Sequence, residues 1–159
     1  MQDKTIFESD NFILVSVEKP HVSREEGGHL KISPKIRVAD RLDLSPELAT
    51  EMAWLEMLAG QAMTLALRKR GIDLGIINYQ DNKNWGVFKP EGPYLHVHLY
   101  GRAKDARVQK YGEAILAPQR DTGFYDNFEP LNDEDIDEIK SQINQLLGEE
   151  KFKKENWHI

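Results

Sequence analysis

The chain has 159 residues, 40% of them hydrophobic, no cysteine and a formal net charge of −6. Disulfides, thiolate catalysis and cysteine-based zinc sites are therefore excluded, and the acidic balance argues against a nucleic acid held by general electrostatics. Met1 to Lys4 lead into no apolar run, and no uninterrupted apolar stretch of about 18 residues occurs, so a cytoplasmic protein without membrane association is expected.

Residues 12–17, Phe-Ile-Leu-Val-Ser-Val, read as a largely buried strand. A polar loop from Glu18 to Gly28 follows, punctuated by Pro20 and the Gly27-Gly28 pair. His29-Leu30-Lys31-Ile32-Ser33 then alternates with period 2 and stops at Pro34, which predicts a second strand paired with the first. Ser45 as N-cap, Pro46 at the first helical position and Glu47 at the positive dipole end open a long helix. Its apolar stripe runs through Met52, Leu55, Leu58, Ala59, Ala62, Met63, Ala66 and Leu67, and Arg68-Lys69-Arg70-Gly71 closes it. Trp54 and the helix methionines read as core.

A strand near Leu74–Asn78, a loop from Tyr79 to Pro93 and a strand over about residues 94–101 predict a hairpin. In that loop Trp85 and Phe88 either stack on a bound base or cap the apolar end of the hairpin. The segment 103–131 carries turn signals at Pro118, Gly123 and Pro130 and no clear element. Asn132 or Asp133 caps a last helix with the stripe Ile136, Ile139, Ile143, Leu146 and Leu147, and Asp133-Glu134-Asp135 complements its dipole.

The chemistry concentrates in Tyr94-Leu95-His96-Val97-His98-Leu99-Tyr100-Gly101-Arg102. On a strand, side chains i and i+2 share a face, so the imidazoles of His96 and His98 lie side by side. A neutral imidazole attacks phosphorus well, and a neighbouring one can hold phosphoryl oxygens while charge develops. The pair alone also fits a half-solvated sheet face, or a zinc site completed by His29 with an open position for hydroxide. His21 and His158 read as solvated. Lys31, Lys35, Arg102 and Lys104 read as exposed charges that could cluster around a phosphate.

The order Pro20, Gly28-His29-Leu30-Lys31-Ile32-Ser33-Pro34-Lys35, Ser45-Pro46-Glu47, Asn78 and His96-Val97-His98-Leu99 with Gly101-Arg102 resembles the histidine triad (HIT) superfamily of nucleotide hydrolases and transferases over about residues 5–106. That resemblance implies an α+β fold with about five antiparallel strands, one long helix and a C-terminal helix. It divides the chain into a HIT-like domain at 1–106 and a C-terminal extension at 107–159, docked as one domain. His96 matches the family's central histidine, the nucleophile, and His98 the third, which assists at the phosphate. His29 matches the upstream histidine beside the triad, and Asn78 resembles an asparagine near the phosphate or ribose. Glu18 is the nearest candidate ribose ligand, and Arg102 adds positive field.

Three departures stand out. Tyr94 replaces the first triad histidine, Glu91-Gly92-Pro93 replaces the usual Gln-Ser/Thr-apolar element, and both flanking loops are longer. The implied activity is hydrolysis or transfer at the α-phosphate of a nucleoside phosphoramidate or dinucleoside polyphosphate, through a nucleotidyl-histidine, with no metal or cofactor. A homodimer is implied too. The alternative is a nucleotide-binding module with little turnover.

Overall fold

The computed structural model describes residues 2–159. A single antiparallel sheet of five strands forms its centre: β1 (Lys4–Glu8), β2 (Phe12–Ser16), β3 (His29–Pro34), β4 (Leu74–Gln80) and β5 (Val97–Ala103), in the order β1-β2-β3-β5-β4. The pairing of β2 with β3 and the β4–β5 hairpin are as the alternation predicts. Two boundaries differ. Lys4–Glu8 adds an edge strand that its mixed polarity conceals, and β5 begins at Val97 because the Leu95 N–H bonds Val38 O instead of a strand partner.

Period 2 gives the sheet two faces. Phe12 and Leu14, Leu30 and Ile32, and Val97 and Leu99 form one face, all buried against α1 (Pro46–Lys69). Ser45 caps α1 by accepting from the Leu48 N–H, and every residue of its predicted stripe is buried. Fully burying one such side chain stabilises by about 1.5–3 kcal/mol, so this face carries much of the fold. Trp54 is buried as expected, and its indole N–H donates to Phe152 O at 3.0 Å. Against α1 and the edge strand β1 packs α2 (Asp133–Leu146), entered through a reciprocal capping box between Asn132 and Asp135. No helix among the described residues is long and apolar enough to cross a membrane.

His29 and Lys31 on β3, and His98, Tyr100 and Arg102 on β5, point to the opposite face. There His29 stands across from Tyr100 and Lys31 from His98. The irregular segment after β5 folds back over this face. Its anchor is the buried carboxylate of Glu26, which accepts from the N–H groups of Arg107, Val108 and Gln109 at 2.8, 2.6 and 2.8 Å. Close backbone contact makes this possible. A Cβ on Gly101 would lie 2.0 Å from Gly27 O, and Gly27 itself has φ of 125°, so both positions require glycine.

Candidate active site

Four of the five histidines meet on the polar face. His29 is 1% exposed, and its Nε2 lies 2.8 Å from His98 Nδ1. The ring of His98 is 4.6 Å from that of His96 and 5.5 Å from that of His21, centroid to centroid. His21, expected in solvent, is buried: its Nδ1 lies 2.9 Å from Tyr100 Oη, and its ring packs on His29, Trp85 and Tyr125. No local sequence signal marks this burial, which comes from the segment around Gln109 closing over the loop, with Gln109 Nε2 donating to His21 O. His158 is exposed at the far C-terminus, as expected.

Backbone groups order the protons. The His21 main-chain N–H can only donate, so His29 Nδ1, 3.1 Å away, accepts. The neutral ring of His29 then carries its proton on Nε2 and donates to His98 Nδ1, which leaves His98 with an N–H at Nε2. Tyr94 O can only accept, so His96 Nδ1, 3.0 Å from it, bears the proton and His96 Nε2 holds a lone pair. The tautomers are thus assigned from fixed partners.

Burial keeps these rings neutral. It pushes the His98 pKa down to about 2 and that of His21 to about 4, with neighbouring histidines and Arg120 acting in the same direction. His29 is held well below its ordinary value by burial and by His98, and burial also lowers His96. At pH 7 all four are uncharged.

His21, His29, His96, His98, Tyr94 and Tyr100 border one cavity of about 250 Å³. Lys31, Lys83, Lys89 and Arg120 also line it, and no carboxylate among the described residues does. Arg120 reaches in from the covering segment, its guanidinium 5.7 Å from the Trp85 ring and 5.2 Å from Tyr125. Trp85 faces this cavity, whereas Phe88 points to solvent. Lys31 pairs with Asp3 and Lys83 with Asp40, so Lys89 and Arg120 bring the positive charge that no carboxylate among the described residues matches, beside neutral imidazoles, which suits an anion.

Other sequence candidates lie apart. Arg102 is 1% exposed and outside the cavity lining: it donates to Asn78 Oδ1 at 2.5 Å and to the carbonyls of Gln109, Lys110 and Glu113. The two residues therefore hold the covering segment behind the site. Burial of Arg102 and its occupied guanidinium explain why an expected exposed charge is not one. Glu18 is also outside the lining, although its neighbour Val17 is within it, and its N–H donates to Asp3 Oδ1. Lys35 and Lys104 pair with Glu8 and Asp73, away from the cavity.

The nitrogens of His21, His29 and His98 lie within 4.8 Å of one another, close enough to consider a metal. The proton order opposes it. With His29 Nδ1 accepting from a main-chain N–H, ligation through Nε2 would demand a ring with no proton at all, an imidazolate. The set fits a hydrogen-bonded relay better than a metal centre.

No family model matches the sequence, and no curated protein does. Solved structures do match. A histidine triad protein from Marinobacter aquaeolei superposes with a TM-score of 0.61 at 13% identity, covering 92% of this chain and 89% of the other. A hypothetical histidine triad nucleotide-binding protein from Sulfolobus tokodaii gives 0.60 at 14% identity, over 92% and 87%. A zinc-bound histidine triad family protein from Mycobacterium smegmatis gives 0.56 at 18% identity, over 92% and 87%. Likeness at such identities carries architecture alone: this chain has the fold of the histidine triad proteins.

Proposed function

We propose that the chain is a HIT-type nucleotide hydrolase or nucleotidyl transferase, acting at the α-phosphate of a nucleoside phosphoramidate or dinucleoside polyphosphate. One observation carries this reading. His96 Nε2 holds a lone pair because Tyr94 O occupies its other nitrogen, and His98 offers an N–H beside it in a cavity lined by four cations. His96 Nε2 attacks phosphorus, the leaving group departs, and water then cleaves the nucleotidyl-histidine. His98 Nε2–H, positioned by His29, donates to a phosphoryl oxygen as charge builds. The cations hold the phosphate chain, and Trp85 offers an aromatic surface for the base.

In this reading residues 1–106 are the HIT-like body and 107–159 its docked extension, drawing on a cytoplasmic nucleotide pool. The covalent step uses only side chains. In this reading Asn78 and Arg102 act through the covering segment they hold, and Glu18 makes no contact with substrate. A homodimer is part of the proposal: β4 is an edge strand, and beside it Met57, Leu65, Ile76 and Tyr79 expose an apolar face with α1. Sedimentation of the purified chain as a monomer at micromolar concentration would contradict that part.

A second reading, nucleotide binding with little turnover, is favoured by Tyr94, whose ring lies 4.6 Å from His96 where the family has histidine. Incubation with adenosine 5′-phosphoramidate and with diadenosine polyphosphates separates the two. AMP release supports the enzyme, and binding without product supports the module.

A further inference from the structure

His21 takes no part in the transfer just proposed for His96 and His98, yet it is among the most firmly held groups in the cavity. Its N–H donates to His29, its carbonyl accepts from Gln109 Nε2 at 2.8 Å, and its Nδ1 lies against Tyr100 Oη. Gln109 is itself fully buried, with both ends of its amide engaged by Leu116. His29 and Gln109 thus hold the main chain of His21 and Tyr100 holds its ring, whose Nε2 has no partner among the described residues.

Its placement is specific. Entering and following β5 the order is His96, His98, Tyr100, and Tyr100 tethers His21. His21 therefore lies on the side of His98 away from His96. With phosphoryl oxygens at the His98 N–H, in-line displacement puts the nucleophile on one side of phosphorus and the departing group on the other. His96 occupies the first side and His21 faces the second.

We propose that His21 exchanges the proton of the leaving group, and then of the water that replaces it. The assignment rests on the nucleotidyl-transfer reading. Burial holds the Tyr100 hydroxyl well above its ordinary pKa, so it stays a phenol, and a phenol oxygen can accept from His21 Nδ1–H while Nε2 exchanges protons.

In the resting cavity burial, Arg120 and His96 keep His21 neutral, with His29, His98 and Tyr100 also against it. An anionic substrate among these groups favours the imidazolium, taken from solvent. In the first step the His96 Nε2–P bond forms, the bond from P to the leaving atom breaks, and His21 Nε2 gives its proton to that atom. In the second, water oxygen bonds phosphorus, the N–P bond breaks and the water proton passes to His21. The cycle closes with His21 protonated as it began.

The full-length wild type and His21→Gln are compared on two substrates: adenosine 5′-phosphoramidate, whose amine leaves only when protonated, and the p-nitrophenyl ester of AMP, whose phenolate needs no proton. The expected result is selective. H21Q forms adenylyl-enzyme from the ester within about threefold of wild type and attacks the phosphoramidate about 100-fold more slowly, the scale of general acid catalysis. Equal loss on both substrates assigns His21 to holding the fold and overturns the proposal, as does no loss on either. If wild type releases nothing from either substrate, the transfer reading fails and this assignment with it. If H21Q does not fold, Tyr100→Phe replaces it: a loss confined to the phosphoramidate is expected, and an equal loss on both overturns the proposal.

Discussion

The proton between His29 Nε2 and His98 Nδ1, 2.8 Å apart, belongs to His29, because the His21 main-chain N–H occupies the other nitrogen of His29. One backbone donor in the loop between β2 and β3 thereby determines which atom of His98 can donate into the cavity. The relay runs through side chains held neutral by burial, so its order persists at physiological pH.

His29→Ala should remove that control while leaving the His96 nucleophile intact. His98 could then carry its proton on Nδ1 and turn a lone pair toward the phosphate. Loss of one preorganised donor is expected to lower kcat by about 100-fold, with KM for the nucleotide much less affected. A His29→Ala enzyme within about threefold of wild type would show that His98 needs no such control.

Stability should fall on mild acidification. His21 and His98 have folded pKa values of about 4 and about 2, below their ordinary value of 6.5. Between pH 6.5 and 4 the unfolded chain takes up protons that the native rings refuse, so folding is favoured fully above 6.5 and progressively less below it. At pH 5 the loss is about 2 kcal/mol for each ring. Glu56 works in the opposite sense, because burial raises its pKa. Urea denaturation at pH 7.5 and 5.0 measures the difference, and identical midpoints would mean the rings are not held neutral.

Arg102→Ala should act on stability before it acts on substrate. The buried guanidinium bonds Asn78 and three carbonyls of the covering segment, and each buried acceptor left without a donor costs about 1–3 kcal/mol. A lowered Tm and earlier proteolytic cleavage within residues 107–117 are expected. Weakened nucleotide binding with an unchanged Tm would instead return Arg102 to direct contact with substrate.

Asp135→Ala should detach the C-terminal helix. Its side chain is 0% exposed and takes Arg24 at 2.5 and 2.9 Å and Arg70 at 3.1 Å. Breaking a buried ion pair by removing one partner costs about 3–5 kcal/mol. Thermal melting of Asp135→Ala beside Asp133→Ala, whose carboxylate is exposed and pairs with Lys4, checks this. The second change should be nearly silent.

Periodicity and caps made the long helix, the C-terminal helix and the β2–β3 and β4–β5 pairings legible, because each has an apolar stripe or turn signal of its own. The i, i+2 spacing likewise put His96 and His98 on one face. What stayed hidden depends on chain segments meeting at a distance. His21 looks solvated beside Pro20 until the segment around Gln109 closes over it, and Arg102 looks exposed until the same segment brings its carbonyls. Asp135 reads as helix-dipole compensation because nothing local reveals Arg24 and Arg70. Lys4–Glu8 is an edge strand with one buried side chain, Ile6, too little to produce alternation.

The central claim is that His96 is nucleotidylated. Wild type and His96→Ala, each mixed with adenosine 5′-phosphoramidate or a diadenosine polyphosphate, quenched within the first turnover and analysed by intact-mass and peptide mass spectrometry, test it directly. The account predicts a +AMP adduct on the peptide carrying His96 in wild type, and no adduct and no AMP release in His96→Ala. AMP release by His96→Ala at the wild-type rate would contradict it.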